Sequence, residues 1–97
     1  MQVTINGKRW RMAFDRVARD CDGHCDPPTQ TKKRIVLRKS LRKRHQRLLE
    51  ATIHELLHAA GWPLDEEFVT TFAEDAARTL LKQGWRLPDG PQNMDTY

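Results

Sequence analysis

The sequence predicts an α+β fold in which a small antiparallel sheet of about three strands packs against two helices. Three observations predict it: two β-prone runs joined by Asn6-Gly7, a β-branched run at 33–38, and a long periodic stretch without Gly or Pro. A chain of 97 residues fits a single domain. We expect this domain to span residues 1–85, followed by a flexible tail at 86–97 that contains Pro and Gly but no periodicity.

The predicted strands lie in the N-terminal part of the chain. Asn-Gly between two β-prone runs is the strongest short-range signal of a hairpin, so strands are expected on both sides of residues 6 and 7. Trp10, Met12 and Phe14 alternate with other residues, and one face of the hairpin should therefore be buried. The segment 20–28 is rich in Asp, Gly and Pro, which predicts an irregular loop before the third strand.

Two helices are predicted in the C-terminal part. Ser40 is a candidate N-cap, and no Gly or Pro occurs at 41–60, so one long helix is expected there, ended by Gly61. Asp65 is a candidate N-cap for a second helix, which Gly84 ends. The apolar stripe of this second helix is expected to comprise Val69, Phe72, Ala73, Ala76 and Leu80.

Composition argues against a membrane or secreted protein. No apolar run approaches the roughly 18 residues that a membrane span needs, and the N-terminus lacks the layout of a signal peptide. Cys21 and Cys25 are too few for a disulfide framework, and with His24 they form only one of the two knuckles of a zinc ribbon. These features predict a cytoplasmic protein with free thiols and no membrane partner.

The net charge of +4 is distributed unevenly. Residues 32–47 hold nine Lys/Arg and no acid, whereas residues 50–97 hold nine Asp/Glu against three Lys/Arg. A basic block of this density can mark a surface that binds nucleic acid, although charge runs are more often solvated faces. Nucleic acid is therefore an alternative partner through residues 32–47.

The segment His54-Glu55-Leu56-Leu57-His58 indicates a metal site. Residues four apart on a helix share one face, so His54 and His58 can present two imidazole nitrogens to one zinc ion. Glu55 is placed in such motifs to accept a proton from the water on the metal. Helical phase puts both histidines opposite an apolar stripe, and we expect that stripe to face the core: Leu49, Ile53, Leu56, Leu57 and Ala60.

A catalytic zinc site also needs a third protein ligand. Glu66, Glu67 and Glu74 are the glutamates available on the second helix. If Val69 is the centre of its buried face, Glu66 lies about 60° from that centre and Glu67 about 160°. Glu66 is therefore the favoured ligand, and Glu67 and Glu74 are left as alternatives, although Glu67 is expected rather to interact with the helix dipole.

The run 52–59, TIHELLHA, resembles the active-site helix of zincin metallopeptidases, in particular small SprT-like and minimal gluzincin domains of the kind often found in phage genomes. The segments 25–27, 34–37 and 66–69 also look like the layout of that family. The resemblance implies a sheet lying against the motif helix, with an edge strand at 34–38 flanking a cleft for an extended peptide.

The resemblance further implies ligand roles for His54 and His58, a catalytic role for Glu55 and an acidic third ligand at Glu66. The sequence thus predicts a zinc-dependent endopeptidase that acts on peptide or protein substrates. Two other hypotheses are a nucleic-acid-binding protein with a structural or vestigial zinc site, and a non-catalytic metalloprotein that binds a partner through the same cleft.

Overall fold

The computed structural model describes residues 1–86, and all of the predicted tail except Arg86 lies outside this range. The elements, in chain order, are β1 (Gln2–Ile5), β2 (Lys8–Asp15), β3 (Gly23–Cys25), β4 (Arg34–Arg38), a 3₁₀ helix (Lys39–Lys43), α1 (His45–Ala60) and α2 (Glu66–Lys82). The predicted α+β class is confirmed. No helix in residues 1–86 is both long enough and apolar enough to cross a membrane.

The sheet has four strands in the order β1-β2-β4-β3 and is mixed, whereas an antiparallel sheet of about three strands was predicted. β1 and β2 form the predicted antiparallel hairpin, closed by Asn6 and Gly7 at φ of 50° and 75°, as type I′ turns require. β2 and β4 are parallel, with Met12 opposite Ile35. This parallel pairing arises because the intervening segment crosses over and contributes β3 on the far side of β4.

The core lies between one face of the sheet and α1. It includes the alternating Trp10, Met12 and Phe14 of β2, as predicted, together with Ile35 and Leu37 of β4. On α1 the buried positions are Leu48, Ala51, Glu55 and Ala59. In the stripe predicted to face the core, half-buried Leu56 packs against it, but Ala60 is exposed and no member is fully buried, so that prediction was only partly right. Because α1 contacts both the sheet and α2, its apolar residues are divided between two partners.

The first helix begins later than predicted. Lys39–Lys43 forms a 3₁₀ helix, and Arg44, at φ −116° and ψ 80°, separates it from α1. The tighter turn carries Leu41 into the core, where it is only 1% exposed. Ser40 therefore does not cap α1, because the chain turns to bury Leu41 before the α-helix starts.

The second helix begins as predicted and packs mainly through small residues. The Asp65 carboxylate accepts a hydrogen bond from the Phe68 N–H at 3.0 Å, which confirms the N-cap. The buried positions of α2 are Val69, Ala73 and Ala77. Phe72 was predicted in this stripe but is 47% exposed, and its ring stacks on Phe68 along the outer face of the helix. α2 runs antiparallel to α1, because Glu66 lies beside His58 while Leu80 lies beside His45.

Candidate metal centre

Three side chains converge where α1 and α2 meet. His54 Nε2 lies 2.9 Å from Glu66 Oε1, and His58 Nε2 lies 2.7 Å from Glu66 Oε2. The histidines are one turn apart on α1, with side chains 22% and 16% exposed, and Glu66 is the first residue of α2. The short connection between the helices therefore places a carboxylate directly against the motif.

These atoms form a donor set suited to a metal. One ligand atom from each of His54, His58 and Glu66 lies within 4.8 Å of the others. Two imidazole nitrogens and one carboxylate oxygen are the protein ligands of many catalytic zinc sites. The structure does not bring the other two candidate glutamates into this group: Glu67 is exposed outside it, and Glu74 lies two turns further along α2 on the wall of the same cleft.

Glu55 occupies an unusual position for a carboxyl group. It is 7% exposed and borders the cleft that contains the two histidines. No hydrogen bond or ion pair reaches its side chain from within residues 1–86. Burial, followed by the negative charge of Glu66, raises its pKa to about 7. A buried carboxyl without a partner is costly, so its retention in a cleft suits a group that must exchange a proton with a ligand.

Gly23 of β3 makes room for this carboxyl, a role that the sequence alone did not reveal. A Cβ atom at Gly23 would lie 2.8 Å from Glu55 Oε2 and 3.1 Å from the Val36 carbonyl oxygen. Any larger residue would therefore displace the Glu55 side chain. The sequence showed only a glycine in an irregular loop, since the approach of α1 to β3 is a tertiary contact.

The cleft has a volume of about 530 Å³ and lies between β3, α1, α2 and the preceding loop. All three residues of β3 line it, and β3 is the edge of the sheet. The strand at 34–38, predicted as the edge, is instead an interior strand between β2 and β3. The correction follows from the crossover, which places β3 outside β4.

Asp26 anchors β3 to β4, and sequence reasoning assigned it no role. It is 4% exposed and bonds to His24 Nε2 at 2.7 Å, to the Arg34 N–H at 2.9 Å and to Arg34 Nε and Gln30 Nε2, both at 3.2 Å. Burial alone would raise the pKa of Asp26, but the hydrogen bonds from His24 and Arg34 outweigh it and lower the pKa. This network fixes the strand that forms one wall of the cleft.

Some residues of the basic block at 32–47 also stabilise this wall of the cleft. Arg34 pairs with Asp26, and Arg47 donates to both oxygens of Asp22 at 2.8 Å. Arg38 donates to backbone carbonyls of the loop that precedes β3. Three of the nine basic residues at 32–47 thus hold the loop and strand beside the cleft.

Comparison of the chain with protein-family models, with curated proteins and with solved structures gives no match. The zincin resemblance of residues 52–59 therefore stays a prediction. The fold and site define an α+β domain with a His-His-Glu donor group beside a buried glutamate.

Proposed function

We propose that the protein is a zinc-dependent metallopeptidase in which Glu55 acts as general base. One observation carries the proposal: a buried, unpartnered carboxyl lies in the same cleft as three convergent metal-ligating side chains. Metal-assisted hydrolysis needs both components within one accessible cavity. A purely structural metal site would need no orphaned carboxyl next to its ligands.

Each residue then has a distinct role. His54, His58 and Glu66 would hold the ion through the atoms that already converge. Zinc, when bound, supplies a Lewis acid that polarises the peptide carbonyl and acidifies water. Glu55, in its carboxylate form, takes the proton from the attacking water and delivers it to the departing amine. Contact with Gly23 limits where the Glu55 carboxyl can lie and so orients it toward the cleft.

The exposed edge of β3 supports an extended peptide as the substrate. An edge strand presents unpaired backbone N–H and C=O groups, to which a peptide can add as a further strand. β3 lies at the end of the sheet and lines the cleft that holds the metal ligands. A peptide bound there would run past Glu55, with the scissile carbonyl within reach of the metal centre.

Glu55→Gln is the decisive variant, because it keeps the shape of the side chain and removes its ability to accept a proton. General-base catalysis contributes about 10²- to 10⁴-fold, so cleavage of an unfolded fluorescent casein should fall by at least about 100-fold. Metal analysis should still find one zinc per chain. Glu67→Gln, one residue beyond Glu66 and outside the donor group, is the matched control and should retain activity.

Two results would contradict the proposal. Full activity in the Glu55→Gln variant would remove Glu55 from the mechanism. A zinc-loaded parent protein that fails to cut unfolded substrates would leave the site as a metal-binding site without peptidase activity.

A further inference from the structure

The cleft is acidic, although the chain carries a net charge of +4. Among residues 1–86, Arg47 is the one lysine or arginine that lines it. Six of the 11 acidic residues within residues 1–86 border this single cavity: Asp20, Asp22, Glu50, Glu55, Glu66 and Glu74. The charge of the cleft is thus opposite to that of the protein as a whole.

The metal centre and the ion pairs of Asp22 with Arg47 and Arg38 account for only half of these carboxylates. Glu55 and Glu66 belong to the proposed catalytic group, whose two charges a divalent cation would balance. Asp22 is neutralised by the two hydrogen bonds from Arg47. The other three carboxylates, Asp20, Glu50 and Glu74, have no cationic partner within residues 1–86. Of these three side chains, Glu50 alone accepts a hydrogen bond there, from the neutral amide of Gln46.

Two of the unbalanced carboxylates stand on opposite walls of the cleft. Glu50 precedes His54 by one helical turn on α1, a rise of about 6 Å. Glu74 follows Glu66 by two turns on α2, a rise of about 12 Å. Because the helices are antiparallel, both steps lead in the same direction from the metal ligands. An acidic region therefore extends from the metal centre toward the start of α1.

We infer that this region binds a lysine or arginine side chain of the substrate, so that the protein selects basic peptide segments. The cleft also contains the buried, unpartnered Glu55 and the convergent donor atoms, which independently mark it as a ligand site. A neutral peptide would desolvate Glu50 and Glu74 without compensation, whereas an ammonium or guanidinium group would pair with them. An acidic peptide would be repelled by both walls.

This inference rests on the proposed function where it assigns the bound peptide as a substrate. Selective binding of a basic peptide does not depend on cleavage, so binding and cleavage can be tested separately. The binding test uses the zinc-loaded Glu55→Gln variant, which should not turn over its ligand. Fluorescence anisotropy would compare two labelled extended peptides that are identical except for three lysines in one and three glutamates in the other. We expect the lysine peptide to bind at least about tenfold more tightly, with a preference that shrinks as salt is raised.

The residues responsible can be identified with charge-neutralising variants in the same background. Partly exposed ion pairs contribute up to about fivefold each, so Glu50→Gln and Glu74→Gln should each weaken binding of the lysine peptide by up to that factor. Glu67→Gln makes the same charge change on α2 outside the cleft and should have no effect. Equal binding of the two peptides, or an equal effect of Glu67→Gln, would overturn the inference.

Cleavage by the parent protein separates the remaining outcomes. If it cuts both peptides at equal rates, the proposed function stands and the charge preference is wrong. If the lysine peptide binds selectively but neither peptide is cut, the acidic cleft is a peptide-binding site and the peptidase proposal fails.

Discussion

Replacement of Glu66 by glutamine should remove most of the stabilisation that zinc gives the fold and leave the stability of the metal-free protein nearly unchanged. Glu66 is the only proposed ligand on α2, while His54 and His58 both belong to α1. Without zinc, its carboxylate is near both imidazoles but is 68% exposed. Such exposed pairs contribute about 0–1 kcal/mol. The metal-free variant should therefore melt within a few degrees of the metal-free parent.

With zinc, the two proteins should differ clearly. At a free zinc concentration of one hundred times the Kd, linkage predicts about 2.7 kcal/mol of stabilisation for the parent. A change of 1 kcal/mol shifts the Tm of a domain this size by about 4–8 °C, so the Tm should rise by about 11–22 °C. If loss of the carboxylate lowers affinity about 100-fold, the same zinc concentration stabilises Glu66→Gln by RT ln 2, about 0.4 kcal/mol or about 2–3 °C.

The assay is thermal unfolding followed by circular dichroism, with and without zinc, on four proteins: the parent, Glu66→Gln, His54→Ala and Glu67→Gln. His54→Ala should behave like Glu66→Gln, and Glu67→Gln should retain the full zinc shift. A full shift in Glu66→Gln would remove this residue from the ligand set. An equal loss in Glu67→Gln would show that general negative charge on α2, and not a specific ligand, is responsible.

Three further predictions concern the strand beside the cleft. Gly23→Ala should retain zinc but lower peptidase activity by at least about tenfold, because the new Cβ occupies the position of the Glu55 carboxyl; unchanged activity would show that Glu55 can shift at no cost. Asp26→Asn should cost about 2–3 kcal/mol at neutral pH, since the buried carboxylate takes part in four hydrogen bonds. The folded-state pKa of Asp26 is below its ordinary value of 3.8. The carboxylate therefore stabilises the fold fully above pH 3.8, and this stabilisation is lost as the pH falls through the folded-state pKa. The melting temperatures of parent and variant should accordingly converge in acid. A thiol reagent at pH 8 should modify Cys21 alone in the native protein, because burial raises the pKa of Cys25 to about 12; rapid reaction of two thiols per chain would contradict this.

Local signals in the sequence predicted most of the elements but not their arrangement. The Asn6-Gly7 turn and the Asp65 cap act through their own neighbours and were predicted correctly. Parallel pairing of β2 with β4 depends on where the crossover segment lies, which no local pattern records. The start of α1 was missed for a related reason, since the burial of Leu41 under the sheet overrides the helical propensity of residues 41–44.

For the candidate site, the sequence predicted the metal-ligand group but not the surroundings of Glu55. Spacing and helical phase were sufficient to group His54, His58 and Glu66, whose atoms converge in the structure. The burial of Glu55 contradicted a simple amphipathic interpretation of α1, because the residue lies on the sheet-facing side between small residues of the core. Neither its contact with Gly23 nor the Asp26 network could be predicted, since both join segments that are distant in sequence.

The electrostatics of the helix pair link the metal centre to the acidic cleft. The fully buried positions of α2 are Val69, Ala73 and Ala77, so its closest packing is through small side chains. Facing carboxylates on the two helices, at Glu50 and Glu74, oppose close approach of the cleft walls. A cation shared by the motif histidines and Glu66 would offset that repulsion at one end of the helix pair, and a basic side chain of a bound peptide would offset it along the cleft.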